Sequence, residues 1–432
     1  MNYPTWLATC LFMGWSYGLA QAQNIPLRSE QTWQCTPCDK ACDTDAYVAP
    51  GTCSHCGMAL VPCSAETSLA RQPQTSSLPQ GDGQPVSWPL PLELRVPFAP
   101  TAFPSGGQTH LLYELHLTNF GSAPLVVKRL EVFDAQATAD SPLATFEAAA
   151  LAAMLQPLGS NPALAASQPL VLAGGQRAIV FVSIITPSPT RLPPQLLHRV
   201  VTTESAVEGA RISTQHTKLL VMGSPVTGAN WLAADGPGNA PDNHHRRGVL
   251  VLGGRAVNSR RYAIDWKQVQ GGRSFAGEAR DVHAYYCYGQ AVRAVATSRV
   301  VAVHDDQADN VPGHGASFHP AVPITLETVA GNTVVLALGH GQFAHYLHLQ
   351  PGSVRVRVGE RVRRGQVLAR IGSSGDAREP HLHFEVTTSP TVLQGEGVPY
   401  LLNRYRSQTT PVGPLELHQQ ELPLDQSLNL FE

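Results

Sequence analysis

Two histidines separated by one residue could do chemistry in this sequence: His381 and His383, in Pro380-His-Leu-His-Phe-Glu-Val386. Alternate residues of a strand share a face, so His381, His383 and Glu385 project together while Leu382, Phe384 and Val386 can face a core. Upstream, Phe343-Ala-His-Tyr-Leu-His-Leu349 has the same period, which predicts Tyr346 and His348 on one face. Tyr262-Ala-Ile-Asp-Trp266 holds a carboxylate, Asp265, in an otherwise apolar run. Burying an unpaired carboxylate is costly, so a cation or strong donors must stand beside it. His244-His245 precedes it by about twenty residues. Two His and one Asp with an open position make a catalytic zinc site rather than a closed structural one. A neighbouring neutral His can accept a proton from water, and another can donate to an oxyanion. Single histidines such as His283 and His340 read as ordinary satisfied or exposed imidazoles.

A second cluster is made of sulfur. Six of the eight cysteines lie between Cys35 and Cys63, which marks a small separate module. Cys35-x-x-Cys38 and Cys53-x-x-Cys56 are fourteen residues apart, close to zinc-ribbon spacing, and two such pairs can make a tetrahedral thiolate site. Three disulfides are the alternative in an oxidising compartment. Pro50-Gly-Thr-Cys-Ser-His-Cys-Gly-Met-Ala-Leu-Val-Pro62 also resembles small heavy-metal-binding domains of envelope proteins. A second zinc or a soft ion such as copper is therefore expected at Cys35, Cys38, Cys53 and Cys56.

The elements that must position these groups read as mainly β. The chain has 432 residues, with 37 Gly and 35 Pro, which favours many short strands joined by turns. Residues 1–22 read as an export signal, with an apolar run from Trp6 to Leu19 followed by Ala20-Gln21-Ala22. Residues 30–63 form the Cys-rich module and 64–88 a polar linker. Strand-like runs over 90–222, such as His110-Leu-Leu-Tyr-Glu-Leu-His-Leu-Thr118, suggest an antiparallel β-sandwich, with a short helix in the Ala-rich stretch Phe146–Leu158. No cluster of titratable groups stands out there. Residues 225–405 hold the histidine-rich domain, and 406–432 read as a loosely packed tail. With 14% charged residues and a formal net charge of −2, no basic field favours nucleic acid, and no apolar run after the signal reaches membrane-spanning length.

The ordered set Gly289-Gln-Ala-Val-Arg-Ala-Val295, Tyr346-Leu-His-Leu349, Val358-Gly-Glu-Arg-Val-Arg-Arg-Gly-Gln-Val-Leu-Ala-Arg-Ile-Gly372 and Pro380-His-Leu-His-Phe-Glu385 strongly resembles the lysostaphin/LytM-type zinc endopeptidases. That resemblance covers about Tyr262 to Val386 and implies an antiparallel β catalytic domain with a groove. It implies Asp265 and His383 as zinc ligands, His348 and His381 as catalytic histidines, and peptide cross-links of peptidoglycan as substrate. The family's first ligand is normally the His of an H-x-x-x-D motif, where this chain has Arg261. His245 is assigned instead, with His244 as competitor. The segment from Gly359 to Ala369 also resembles half of a biotinyl or lipoyl carrier domain, but residues 268–432 contain no lysine to carry the group.

Three functions follow. The first is an exported, periplasmic or extracellular zinc metalloendopeptidase, acting on peptidoglycan peptides or an envelope protein. The second is a catalytically inactive LytM-like regulator of wall hydrolases. The third is an envelope metal-handling protein whose working end is the Cys-rich module.

Overall fold

A computed structural model describes residues 33–35, 46–54, 56–62, 89–137, 141–158, 170–187, 191–408 and 413–432. The expected signal and linker, and Cys38, lie outside the described residues, as does the side chain of Cys35. The chain divides into two compact units, Met1–Ser87 and Trp88–Glu432.

In the first unit the strands Ala46–Tyr47, Trp33–Cys35 and Leu60–Pro62 form a three-stranded antiparallel sheet in that order. Cys53 N–H donates to Met58 O and Gly57 N–H donates to Cys53 O, both at 2.8 Å, so Cys53 and Cys56 share one tight turn. Gly57 closes it at φ 74°, a conformation that only glycine adopts without strain. Cys53 is buried against Leu60, with the Tyr47 hydroxyl 3.3 Å from its sulfur.

The second unit is built on an amphipathic logic carried by strands. Two five-stranded sheets face each other over a core that includes Tyr113, Leu115, Val132 and Val180. One contains Leu125–Asp134 and Gln195–Thr202; the other is organised on Gln108–Asn119 paired with Arg177–Pro187. The Ala-rich stretch forms a helix over Ala148–Met154. Along Gln108–Asn119 the odd-numbered Leu111, Tyr113, Leu115 and Leu117 enter the sandwich core, while Leu112 joins the core of the histidine-rich half. This strand is therefore buried on both faces, and its even-numbered polar residues His110, Glu114 and His116 are buried too.

The histidine-rich half is organised by an eleven-stranded sheet. Its central order runs Leu401–Gln408, Leu428–Phe431, Gly228–Ala234, Ile264–Gln268, Leu382–Thr387, Gln342–Leu349, Asn332–Gly339 and Ser298–His304. Ile264, Trp266, Leu382, Phe384 and Val386 are wholly buried on the core face, each apolar side chain worth about 1.5–3 kcal/mol in burial. Two expected boundaries move. Val221–Met222 pairs with Leu401–Gln408 in this sheet rather than joining the sandwich. The 406–432 stretch is not loose: Glu416–Glu421 and Leu428–Phe431 are strands of the same sheet, and Phe431 packs on Trp266 with ring centroids 5.2 Å apart. The stretch packs because Leu422 and Phe431 are large apolar groups that find the main core.

Candidate metal centre

Asp265 and His383 stand directly opposite each other on adjacent antiparallel strands, Ile264–Gln268 and Leu382–Thr387. The ladder fixes their backbones, and the alternation that buries Ile264, Trp266, Leu382 and Phe384 turns both polar side chains to the other face. His383 Nδ1 lies 2.9 Å from Asp265 Oδ1. His245 arrives from an irregular turn and places Nε2 3.4 Å from the same oxygen. A carbonyl only accepts, so the 2.8 Å contact of His245 Nδ1 with Asp235 O puts the hydrogen on Nδ1 and leaves the Nε2 lone pair aimed at the carboxylate.

These distances suit a metal. Bonds of about 2.0 Å to N or O place tetrahedral donors about 3.3 Å apart, and the two observed separations are 2.9 and 3.4 Å. Behind His383 stands Glu385, fully buried, with Oε2 3.5 Å from His383 Nε2 and neither carboxylate oxygen hydrogen-bonded. A carboxylate behind a ligating imidazole orients the ring and raises its basicity. Burial opposes charge on Asp265, yet His381 and His245 hold its carboxyl well below the ordinary range. Burial would likewise lower His383, but Asp265 and Glu385 outweigh it and bring the imidazole up to about 9. The field that favours a proton there favours a cation equally.

His244 is the poorer donor. Its side chain is 54% exposed, its Nδ1 is 2.9 Å from Asp235 Oδ1, and its Nε2 is 3.8 Å from Asp265 Oδ2. Grouping donors by mutual distance alone gathers His244, His245 and Asp265. We favour His245, Asp265 and His383, because the buried, tautomer-fixed ring and the ladder-held ring are rigid while His244 is tied to Asp235 at the surface.

His348 overturns one expectation. Strand period places it with Tyr346, but Tyr346 is in the core against Phe384, whereas His348 lines the cleft with its ring 4.8 Å from that of His381. The cause is a φ of 62° at His348, which breaks the pleat and swings the side chain to the opposite face. Its N–H donates to Ala330 O and its own carbonyl accepts from Gly372 N–H, both at 3.0 Å, so the unusual backbone is held from both sides.

These groups line one cleft of about 320 Å³. Lys267, paired with Glu379 at 2.8 Å, and the apolar Val392 and Leu393 form parts of its wall. Arg261 is not at the cleft's metal face. It is buried and bonded to Glu114 and Glu396, which explains why the segment before Asp265 supplies no ligand. Glu114 also corrects the expectation that the sandwich gathers no titratable groups; its signal was a lone acidic residue inside the apolar alternation 110–118. Of the cysteines expected to hold a second metal, Cys53 and Cys56 are described, while Cys38 and the side chain of Cys35 lie outside the described residues.

No helix among the described residues is long and apolar enough to cross a membrane. Residues 280–396 match the model of Peptidase family M23. That span contains His348, His381 and His383 and begins after His245 and Asp265. The chain is similar to the cell division protein DipM of Caulobacter vibrioides, 37% identical over 62 residues, 14% of this chain and 10% of that protein. It is also similar to the peptidoglycan DD-endopeptidase ShyA of Vibrio cholerae, 40% identical over 57 residues, 13% of each. These matches span about a tenth of the length of either relative. Among solved structures, the catalytic domain of the antimicrobial peptidase lysostaphin from Staphylococcus simulans is 21% identical, with 34% of this chain and 80% of that one covered at a TM-score of 0.19. Within the histidine-rich half, the match to Peptidase family M23 covers residues 280–396.

Proposed function

We propose that the protein is an exported zinc metalloendopeptidase that cleaves amide bonds in peptide cross-links of peptidoglycan. The observation that carries this reading is the convergence of His245, Asp265, His383, His348 and His381 on one cleft. In this reading His245 Nε2, Asp265 and His383 Nδ1 would hold zinc, which when bound lowers the pKa of a coordinated water to about 7 and polarises a carbonyl.

The remaining work belongs to side chains. His348 and His381 each donate Nδ1–H to a backbone carbonyl, Ser374 O and Glu379 O at 2.8 Å, and each keeps Nε2 toward the cleft as a base. One would accept a proton from the attacking water and return it to the leaving amine; the other holds its ring beside the first on the same cleft wall. Lys267 supplies positive charge at the same wall. Glu385 orients His383 from behind.

Peptidoglycan as substrate and the cell envelope as location rest on the family match, the names of the two relatives and the N-terminal sequence. The test is incubation of the full chain and an Asp265→Ala variant with purified muropeptides, followed by mass spectrometry. Wild-type cleavage that the variant lacks supports the reading; identical, uncleaved profiles from both sink it and favour a non-catalytic regulator.

A further inference from the structure

Glu114 lies on the sandwich strand Gln108–Asn119 and is 3% exposed. Its Oε1 accepts from Arg246 Nη1 and, at 3.2 Å, from Asn258 Nδ2. Its Oε2 accepts from Arg261 Nε at 2.8 Å and Arg261 Nη2 at 2.5 Å. Arg261 Nη2 continues to Glu396 at 2.9 Å, and Arg246 Nη2 donates to Tyr113 O at 2.7 Å and Val182 O at 3.1 Å. Two carboxylates therefore balance two guanidiniums in a dry setting. Burial alone would raise the Glu114 carboxyl, but Arg261 and Arg246 outweigh it and hold the group at about 2.

The sequence positions of these partners matter more than their energy. Arg246 directly follows His245, and Arg261 lies four residues before Asp265. One carboxylate of the sandwich thus bonds to both of the segments that carry His245 and Asp265, whose Nε2 and Oδ1 lie 3.4 Å apart. His383 and Asp265 have a strand ladder to fix their backbones, whereas His245 sits in a turn with no ladder. Two backbone bonds close the turn, Arg247 N–H to Asn243 O at 3.2 Å and Gly248 N–H to His245 O at 3.1 Å. Neighbouring side chains anchor it to the rest of the fold: Asn243, Arg246, and Arg247, which donates to Ala153 O at 2.6 Å and lies over the Phe181 ring.

We infer that Glu114 is a positioning residue for the metal centre, so that the β-sandwich sets the zinc affinity of the peptidase half. The inference rests on the zinc reading above. The sandwich is then part of the machinery and not a spacer. Arg261, standing where a ligand would be expected, serves as the strut that transmits the clamp.

The test is zinc affinity in the full chain, measured by competition with a chromogenic chelator for the site that Asp265→Ala removes. Glu114→Gln, Glu114→Asp and a control in the sandwich core, Leu130→Ala, are compared at a temperature where near-ultraviolet circular dichroism shows each folded. We expect Glu114→Gln to lose at least tenfold in affinity, Glu114→Asp to lose less, and Leu130→Ala to bind as wild type despite a lower Tm. Folded Glu114→Gln with wild-type affinity overturns the inference, as does an equal loss in Leu130→Ala. Should Glu114→Gln not fold, wild-type affinity in Glu114→Asp overturns it instead. Wild-type zinc binding by Asp265→Ala would overturn the metal assignment itself, a separate result.

Discussion

His348 and His381 face each other with ring centroids 4.8 Å apart, and each is fixed as its Nδ1–H tautomer by a backbone carbonyl, Ser374 O and Glu379 O. Burial lowers both imidazoles, and for His348 the neighbouring His381 and His383 add to the effect. Two neutral bases therefore point Nε2 at one small volume.

Alanine at His348 or His381 should lower turnover by about 10²–10⁴-fold, the usual worth of a general acid or base. Neither is a ligand in our assignment, so zinc content by elemental analysis should stay at the wild-type value. A variant that loses zinc along with activity would move that residue into the ligand set.

His245→Ala should remove the zinc that Asp265→Ala removes, while His244→Ala should retain it and most of the activity. The decisive difference is that His245 is buried with a fixed tautomer, whereas His244 is half-exposed and paired with Asp235. The reverse pattern of zinc content would reassign the third ligand.

Zinc binding should release protons. The His383 imidazole is brought up to about 9, so at neutral pH the apo site is protonated and zinc must displace that proton. Apparent affinity should rise about tenfold per pH unit between neutrality and about 9, then level off. Flat affinity over that range would refute proton competition at His383.

At His348 the left-handed backbone separates two substitutions. Asn accepts φ near 62° far better than Ala. His348→Asn should therefore be more stable than His348→Ala by about 1 kcal/mol, although both lose the imidazole. Urea denaturation of the two variants side by side checks this.

Glu114 gives stability a defined acid limit. Its folded pKa of about 2 lies below the ordinary 4.5, so its contribution is complete above 4.5 and is lost as pH falls toward about 2. The contribution is on the order of 3 kcal/mol. The stability gap between wild type and Glu114→Gln should accordingly narrow across that window, since a protonated Glu resembles Gln. A gap independent of pH would mean that packing, not charge, dominates at this position.

The β character is legible because alternation is a local signal, and a carboxylate in an apolar run asks for a partner. The grouping of His245, Asp265 and His383 comes from the resemblance to zinc endopeptidases and not from spacing. The sequence misled at His348, since the period of two assumes an unbroken pleat and a single positive φ reverses the face. For Glu114 it offered only a lone acidic residue among leucines, because the partners lie 132 and 147 residues away. Polar residues alternating with leucines read as a solvated face unless the second covering layer is known. Phe431 was likewise illegible, because a four-residue strand acquires its place only from neighbours remote in the chain.

That last strand has a consequence for the order of events in biogenesis. Leu428–Phe431 sits between Gly228–Ala234 and Leu401–Gln408, and Gly228–Ala234 is the immediate neighbour of the strand bearing Asp265. A nascent chain that has not yet emitted residues 428–431 from the ribosome leaves one edge of that neighbour open and Trp266 without its cover. The sheet that carries Asp265 therefore closes only after residues 428–431 have been made, and until then the edge of Gly228–Ala234 stays open to other strands.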